Sequence, residues 1–156
     1  MTTQLDFSKS QPQDWLNDLP TFQRSAIETF LKGGLTEEEV AELWLSRIGS
    51  DQNIGFGAGT VASNYLASVK SEFRKFVCGD ADYESLRLEA EKVWVGTKYP
   101  IVVLIAGVIG AKLGLAAAVI SPVVALLLAA VCKIGKNAWC NMPPPVSPSI
   151  TATREQ

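Results

Sequence analysis

Residues 101–132 form a run of thirty-two residues with a single charged side chain, Lys112, and nothing else in this 156-residue chain limits its fold as strongly. A segment this apolar must be covered by protein or by lipid. As one straight helix it would run about 48 Å at 1.5 Å per residue, against about 30 Å for the hydrocarbon core of a bilayer, so a break is expected. Ser121-Pro122 is where the sequence places it. Serine is a good N-cap, proline suits the first helical position, and the residue before a proline resists the helical region. The expectation is a helix over about 100–119 and a second over about 122–139, paired as an apolar hairpin.

The faces of these two segments favour pairing. Ala106, Gly110, Gly114 and Ala118 recur every four residues, a ridge of small side chains that lets another backbone approach closely, and Ala125 and Ala129 offer a shorter matching ridge. The same ridges could pair hairpins into a homo-oligomer. Lys98 precedes the hairpin and Lys133 and Lys136 follow it, so in a spanning hairpin all three lie on one side, which the positive-inside rule makes cytoplasmic. Lys112 points away from the ridge. Inside a span a lysine costs about 2.5 to 3.5 kcal/mol unless it snorkels or pairs, which marks Lys112 as a candidate pore or interface residue. A shallow hairpin, a full hairpin and a single span over 113–132 are the competing geometries.

Charge divides the chain in two. Residues 1–97 hold fifteen of the sixteen acidic residues and nine of the fourteen basic ones, a net of −6, whereas residues 98–140 hold four lysines and no acid. The absence of histidine removes Ser-His-Asp and Cys-His catalysis and the HExxH zinc motif. Carboxylate, lysine or cysteine sites would remain, but no such residues have a spacing distinct from caps and solvated faces. No enzyme, catalytic residue, cofactor or metal ligand is therefore expected. Cys78, Cys132 and Cys140 are an odd number without paired spacing and read as reduced, mostly buried thiols. Residues 1–10 lack the apolar core of a signal peptide, so a cytoplasmic N-terminal part is expected.

Pro20 and Thr21 introduce a helix with Phe22, Ile27 and Phe30 at near-helical spacing, stopped by Gly33-Gly34. Thr36 and Glu39 have the spacing of a capping box, and Leu35 and Val40 that of a hydrophobic staple. The stripe Val40, Leu43, Trp44, Ile48 follows and ends at Gly49. Glu37-Glu38-Glu39 invites an acid/base or metal reading, but acids in a first turn are what the helix dipole favours. Gly55, Gly57 and Gly59 resemble a phosphate cradle, yet no strand precedes them and no P-loop lysine follows; a connector is the expected role. A helix over 60–78 ends at Gly79, and a last one runs from about Asp80 or Asp82 to Val95.

The order Gly34-Leu35-Thr36-Glu37-Glu38-Glu39-Val40-Ala41-Glu42-Leu43, followed by Thr60-Val61 leading a helix with basic residues, resembles the helix-turn-helix of LuxR-type regulators. The resemblance covers about forty residues, and the interval from Leu43 to Thr60 exceeds that family's short turn. It implies a nucleic-acid face at Ser63, Asn64, Lys70, Arg74 and Lys75. The segment is acidic, whereas DNA binding is driven largely by phosphate neutralisation, which makes nucleic acid an unlikely partner.

The chain thus reads as all-α: a polar leader over 1–19, a four-helix bundle-like acidic domain over 20–97, an apolar hairpin over 98–140, and a disordered Pro/Ser-rich tail over 141–156. The function expected is non-enzymatic. The N-terminal domain binds a protein partner or signal while the hairpin anchors in or perturbs the lipid bilayer at the cytoplasmic face. A stored-soluble pore-forming or toxin-like protein with a covered hairpin is one alternative, and a membrane-tethered DNA-binding regulator another. In a fourth case the hairpin never meets a bilayer and is wrapped by the N-terminal helices.

Overall fold

The structure is a computed structural model that describes residues 5, 7, 10–51, 59–94 and 98–142. Among these the chain is all-helical, with no strand. Helices α1 (Asp14–Asn17), α2 (Thr21–Lys32), α3 (Glu37–Asp51), α4 (Gly59–Cys78), α5 (Glu84–Lys92), α6 (Tyr99–Leu113), α7 (Ala117–Ile134) and α8 (Lys136–Cys140) follow one another, with a 3-10 turn, Ala81–Tyr83, leading into α5. The glycine-rich stretch at Gly55 and Gly57 and the tail from residue 143 lie outside the described residues, as do residues 1–4, 6, 8 and 9 of the leader.

Local chemistry sets most boundaries. The backbone N–H of Thr36 donates to Glu39 Oε1 at 2.8 Å and the N–H of Glu39 to Thr36 Oγ1 at 3.2 Å, the reciprocal pair of a capping box, so α3 starts where its sequence demands. The end of α4 is marked by Gly79 at φ +99°, a conformation that costs glycine little. Asp80 then accepts from the N–H of Asp82 at 2.9 Å and opens the next turn.

The break in the apolar segment lies at residues 114–116, seven residues before the expected Ser121-Pro122. Gly114 takes φ +75°, and the N–H groups of Gly114 and Leu115 both turn back to the carbonyl of Gly110, a glycine-terminated helix end. Pro122 instead sits inside α7, little more than a turn from its start. There it removes only the bond that would reach the carbonyl of Ala118, a residue on the exposed side, while Ser121 Oγ donates to the carbonyl of Ala117 at 2.7 Å. A proline so near the beginning of a helix is tolerated, so its stop signal loses to the glycine.

The core is built around α7. Every residue from Val119 to Val131 is buried, and α7 packs chiefly against α3 and α6, and also against α1 and α8. The leader, polar by composition, adds Leu5 and Phe7 to this same core, and α1 adds Trp15 and Leu16. The acidic half and the apolar half therefore share one hydrophobic cluster. A helix apolar on all sides must be enclosed on all sides, and the apolar faces of the amphipathic helices do this.

Candidate functional site: an enclosed apolar helix and the clasps that hold it

Among the described residues α7 is the one helix long and apolar enough to cross a membrane, and 72% of it is buried inside the bundle. Two tryptophans tie its ends to the enclosing helices. Trp44 Nε1 on α3 donates to the carbonyl of Val119 at 3.3 Å, and Trp15 Nε1 on α1 donates to Cys132 Sγ at 2.9 Å. A buried indole needs a partner for its N–H, so each contact fixes position as well as area.

Charged side chains make a second layer of fastening. The Glu37-Glu38-Glu39 run divides its work: Glu39 closes the capping box, Glu38 pairs with Lys70 of α4 at 2.7 Å, and Glu37 lies 3.6 Å from Lys133 of α7. Lys98 is stacked against Trp15 and Trp94, with Nζ 5.5 and 5.3 Å from the ring centres.

Lys112 folds back over the bundle. Its Nζ lies 4.1 Å from the centre of the Tyr83 ring and 3.6 Å from Glu72 Oε1. Tyr83 donates its hydroxyl to the same Glu72 oxygen at 2.7 Å, and Lys75 approaches the other at 3.4 Å. Partial burial by itself would raise the Glu72 carboxyl, but the Tyr83 hydrogen bond and the two lysines outweigh it and hold the group below the usual carboxylate range. Burial, reinforced by the carboxylate beside it, pushes the Tyr83 hydroxyl up. The cluster is thus a carboxylate held ionised by a donor and two cations, and it pins the turn end of α6 to α4 and to the 3-10 turn.

The third fastening lies at the far end of α7. Cys78, the last residue of α4, is disulfide-bonded to Cys140, the last of α8, across a sequence separation of 62. This corrects the expectation of three reduced thiols: the odd count conceals one pair and one free cysteine, Cys132. Arg74 donates to the carbonyls of Cys140 and Met142, and Trp139 packs edge-on against Phe73 with ring centres 5.5 Å apart. Arg87, 1% exposed, donates to the carbonyls of Lys75, Phe76 and Asp80 and so closes the end of α4 next to the bond.

The residues singled out in the sequence are brought together only in part. Ala106 and Gly110 are buried, and a Cβ on Gly110 would collide with the carbonyl of Leu115 while touching Ile120, so this small residue serves the turn. Gly114 forms the turn itself, and Ala118 is exposed on α7, so neither continues the ridge. Ala125 and Ala129 are fully buried in α7. Of the nucleic-acid face, Lys70, Arg74 and Lys75 are all engaged by groups of the chain itself, Asn64 is exposed, and the side chain of Ser63 lies outside the described residues. Sequence reasoning missed Glu72 and Arg87, and took Tyr83 for a core residue only, which it is, without its link to Glu72. The available signal was an acid set beside Val69, Phe73 and Phe76 on one helix.

Comparison with protein families, with characterised proteins and with solved structures finds no match to this chain.

Proposed function

We propose that this protein stores a membrane-inserting helical hairpin, α6 and α7, inside a cover of its own amphipathic helices and delivers it to a lipid bilayer when the fastenings open. The observation that carries the reading is the double character of α7, which has the length and composition of a membrane span yet is enclosed by the chain's own helices. Eighteen residues reach about 27 Å, close to the hydrocarbon thickness of about 30 Å.

The position of the turn supports the same reading by changing what Lys112 would cost. With the break at 114–116, Lys112 lies two residues before the tip. In a hairpin inserted tip first it lies on the far side of the span, within snorkelling reach of the far interface, in place of the costly mid-membrane position; α6 itself, fifteen residues or about 22 Å, is shorter than the hydrocarbon core. Lys98, Lys133 and Lys136 stay on the near side with the acidic helices, the asymmetry that the positive-inside rule favours for a cytoplasmic N-terminal part. The outward side of α6, with Pro100, Val103, Gly107 and Ala111 exposed, carries no charge and offers a bilayer its first apolar contact.

The test is flotation of the full chain with mixed phosphatidylcholine and phosphatidylglycerol vesicles, once from native buffer and once by dilution from urea. The folded protein is expected to remain largely unbound, and the diluted chain to float with the vesicles, resist carbonate and release an entrapped dye. A diluted chain that refolds in solution and never floats would show that α6 and α7 are an ordinary protein core.

A further inference from the structure

Cys78–Cys140 closes a loop that contains α5, α6 and α7, so the bond encircles the two helices that the reading above releases. We propose that this disulfide is a redox latch: oxidised, it keeps the hairpin covered, and its reduction by a dithiol arms the protein for the bilayer. The proposal rests on the function proposed above.

The physical basis is the entropy of the open form. Opening the cover frees α5–α7 from the remaining helices, and a cross-link that closes this loop removes much of the chain freedom gained. The oxidised chain therefore opens less often than the reduced one, with no change in its folded contacts. The bond is also the strongest of several attachments at one place. Arg74 and the Phe73–Trp139 contact hold α8 to the same half of α4, so they align the sulfurs when the bond is open; once it is cut, this end of α7 is held by these and by the Trp15–Cys132 and Glu37–Lys133 contacts.

Access matches the role. Cys78 is exposed, whereas Cys140 is only half-buried and covered on one side by α4. Beside Cys78 lies an open cavity of about 320 Å³ lined by Arg74, Lys75, Gly79 and Asp80. A reductant's thiolate entering there attacks Cys78 Sγ; the S–S bond breaks and Cys140 leaves as a thiolate, which takes up a proton. The reductant's second thiolate then attacks its own sulfur in the mixed disulfide and releases Cys78, which is protonated in turn. The protein gains two electrons and two protons, and the reductant leaves as an intramolecular disulfide. Cys132 takes no part: it sits at the other side of α7, against Trp15. Oxidising compartments preserve such a bond and reducing ones open it, so a change of compartment or of redox state supplies the signal.

The experiment uses the full chain purified under air. Thiol titration is expected to find one free thiol before reduction and three after it. In flotation with the same vesicles, addition of dithiothreitol is expected to raise the bound fraction at least about ten-fold. Cys78→Ser and Cys140→Ser should bind to that raised level without reductant and ignore it, whereas Cys132→Ser should respond as the parent does. Circular dichroism of Cys78→Ser in the absence of vesicles confirms that it still folds; if it does not, the reduced parent carries the comparison. Three free thiols before reduction would overturn the latch. So would equal binding of the oxidised and reduced parent when the urea-diluted chain floats, and that result would leave the membrane reading standing. Failure of the urea-diluted chain to float overturns both.

Discussion

Helices α6 and α7 are almost equally apolar, yet the fold treats them differently. From Val119 to Val131 α7 is enclosed all round, whereas α6 buries Ile101, Val102, Ile105, Ala106 and Ile109 and leaves Pro100, Val103, Gly107 and Ala111 open. Hydrophobicity does not explain the difference; the supply of partners does. Helices α1, α3, α6 and α8 can surround one helix, and once they have done so little apolar surface remains for the outer side of α6. The inner helix is held by packing, the outer one by packing on one side and by the polar cluster at its turn end.

The largest test of this contrast compares truncations to alanine on the two helices. Leu127→Ala removes a side chain with 0% exposure at the centre of α7 and is expected to cost about 3 kcal/mol of unfolding free energy. Val103→Ala, at a position 39% exposed on α6, should cost less than about 1 kcal/mol. Urea titrations of both variants read the difference, and equal losses would mean that the outer face of α6 is covered in solution.

Two glycines sharpen the comparison within α6. Gly110→Ala drives a methyl group into the Leu115 carbonyl at the turn and should destabilise by about 2 kcal/mol. Gly107→Ala meets nothing within 4 Å and should stabilise by about 0.5 to 1 kcal/mol through helix propensity. Thermal unfolding gives both signs; a Gly110→Ala variant as stable as the parent would place the turn elsewhere.

The smallest effect concerns the cluster at Lys112. Because the Glu72 carboxyl is held below its ordinary value of 4.5, the stabilisation it brings is present above that value and is lost as pH falls through the lowered one. Glu72→Gln keeps the shape and removes the charge. Lys112 is 41% exposed and solvent screens its share, so the expected loss at neutral pH is only about 1 kcal/mol. The variant and the parent should converge below the ordinary carboxylate range, and a gap that persists in strong acid would assign the loss to packing. The same sign argues that mild acid is a poor trigger for uncovering the hairpin, since the carboxylate stays ionised there.

Much of this architecture was legible in the chain, and the parts that were not share a cause. The stop of α2, the start of α3 and the stop of α4 could be read because their signals act within a few residues: Gly33-Gly34, the Thr36/Glu39 box, and Gly79; Gly49, expected to end α3, lies inside it, and the helix runs on to Asp51. The turn at Gly114 was hidden by a competing signal at Ser121-Pro122, since local chemistry alone does not say whether a glycine packs against another helix or ends its own. Leu5 and Phe7 gave no sign of core membership because two apolar residues in a polar leader carry no periodicity.

Helicity, the apolar stretch from 101 to 132 with its single charge at Lys112, and its flanking lysines were fixed by the order of residues, because backbone propensity, hydrophobic period and charge are properties of neighbours in the chain. Tertiary structure decided which apolar helix is enclosed, that Lys112 meets Glu72 and Tyr83, and that Cys78 pairs with Cys140. Those choices depend on residues tens of positions apart reaching the same few ångströms, and only the packed core brings them there.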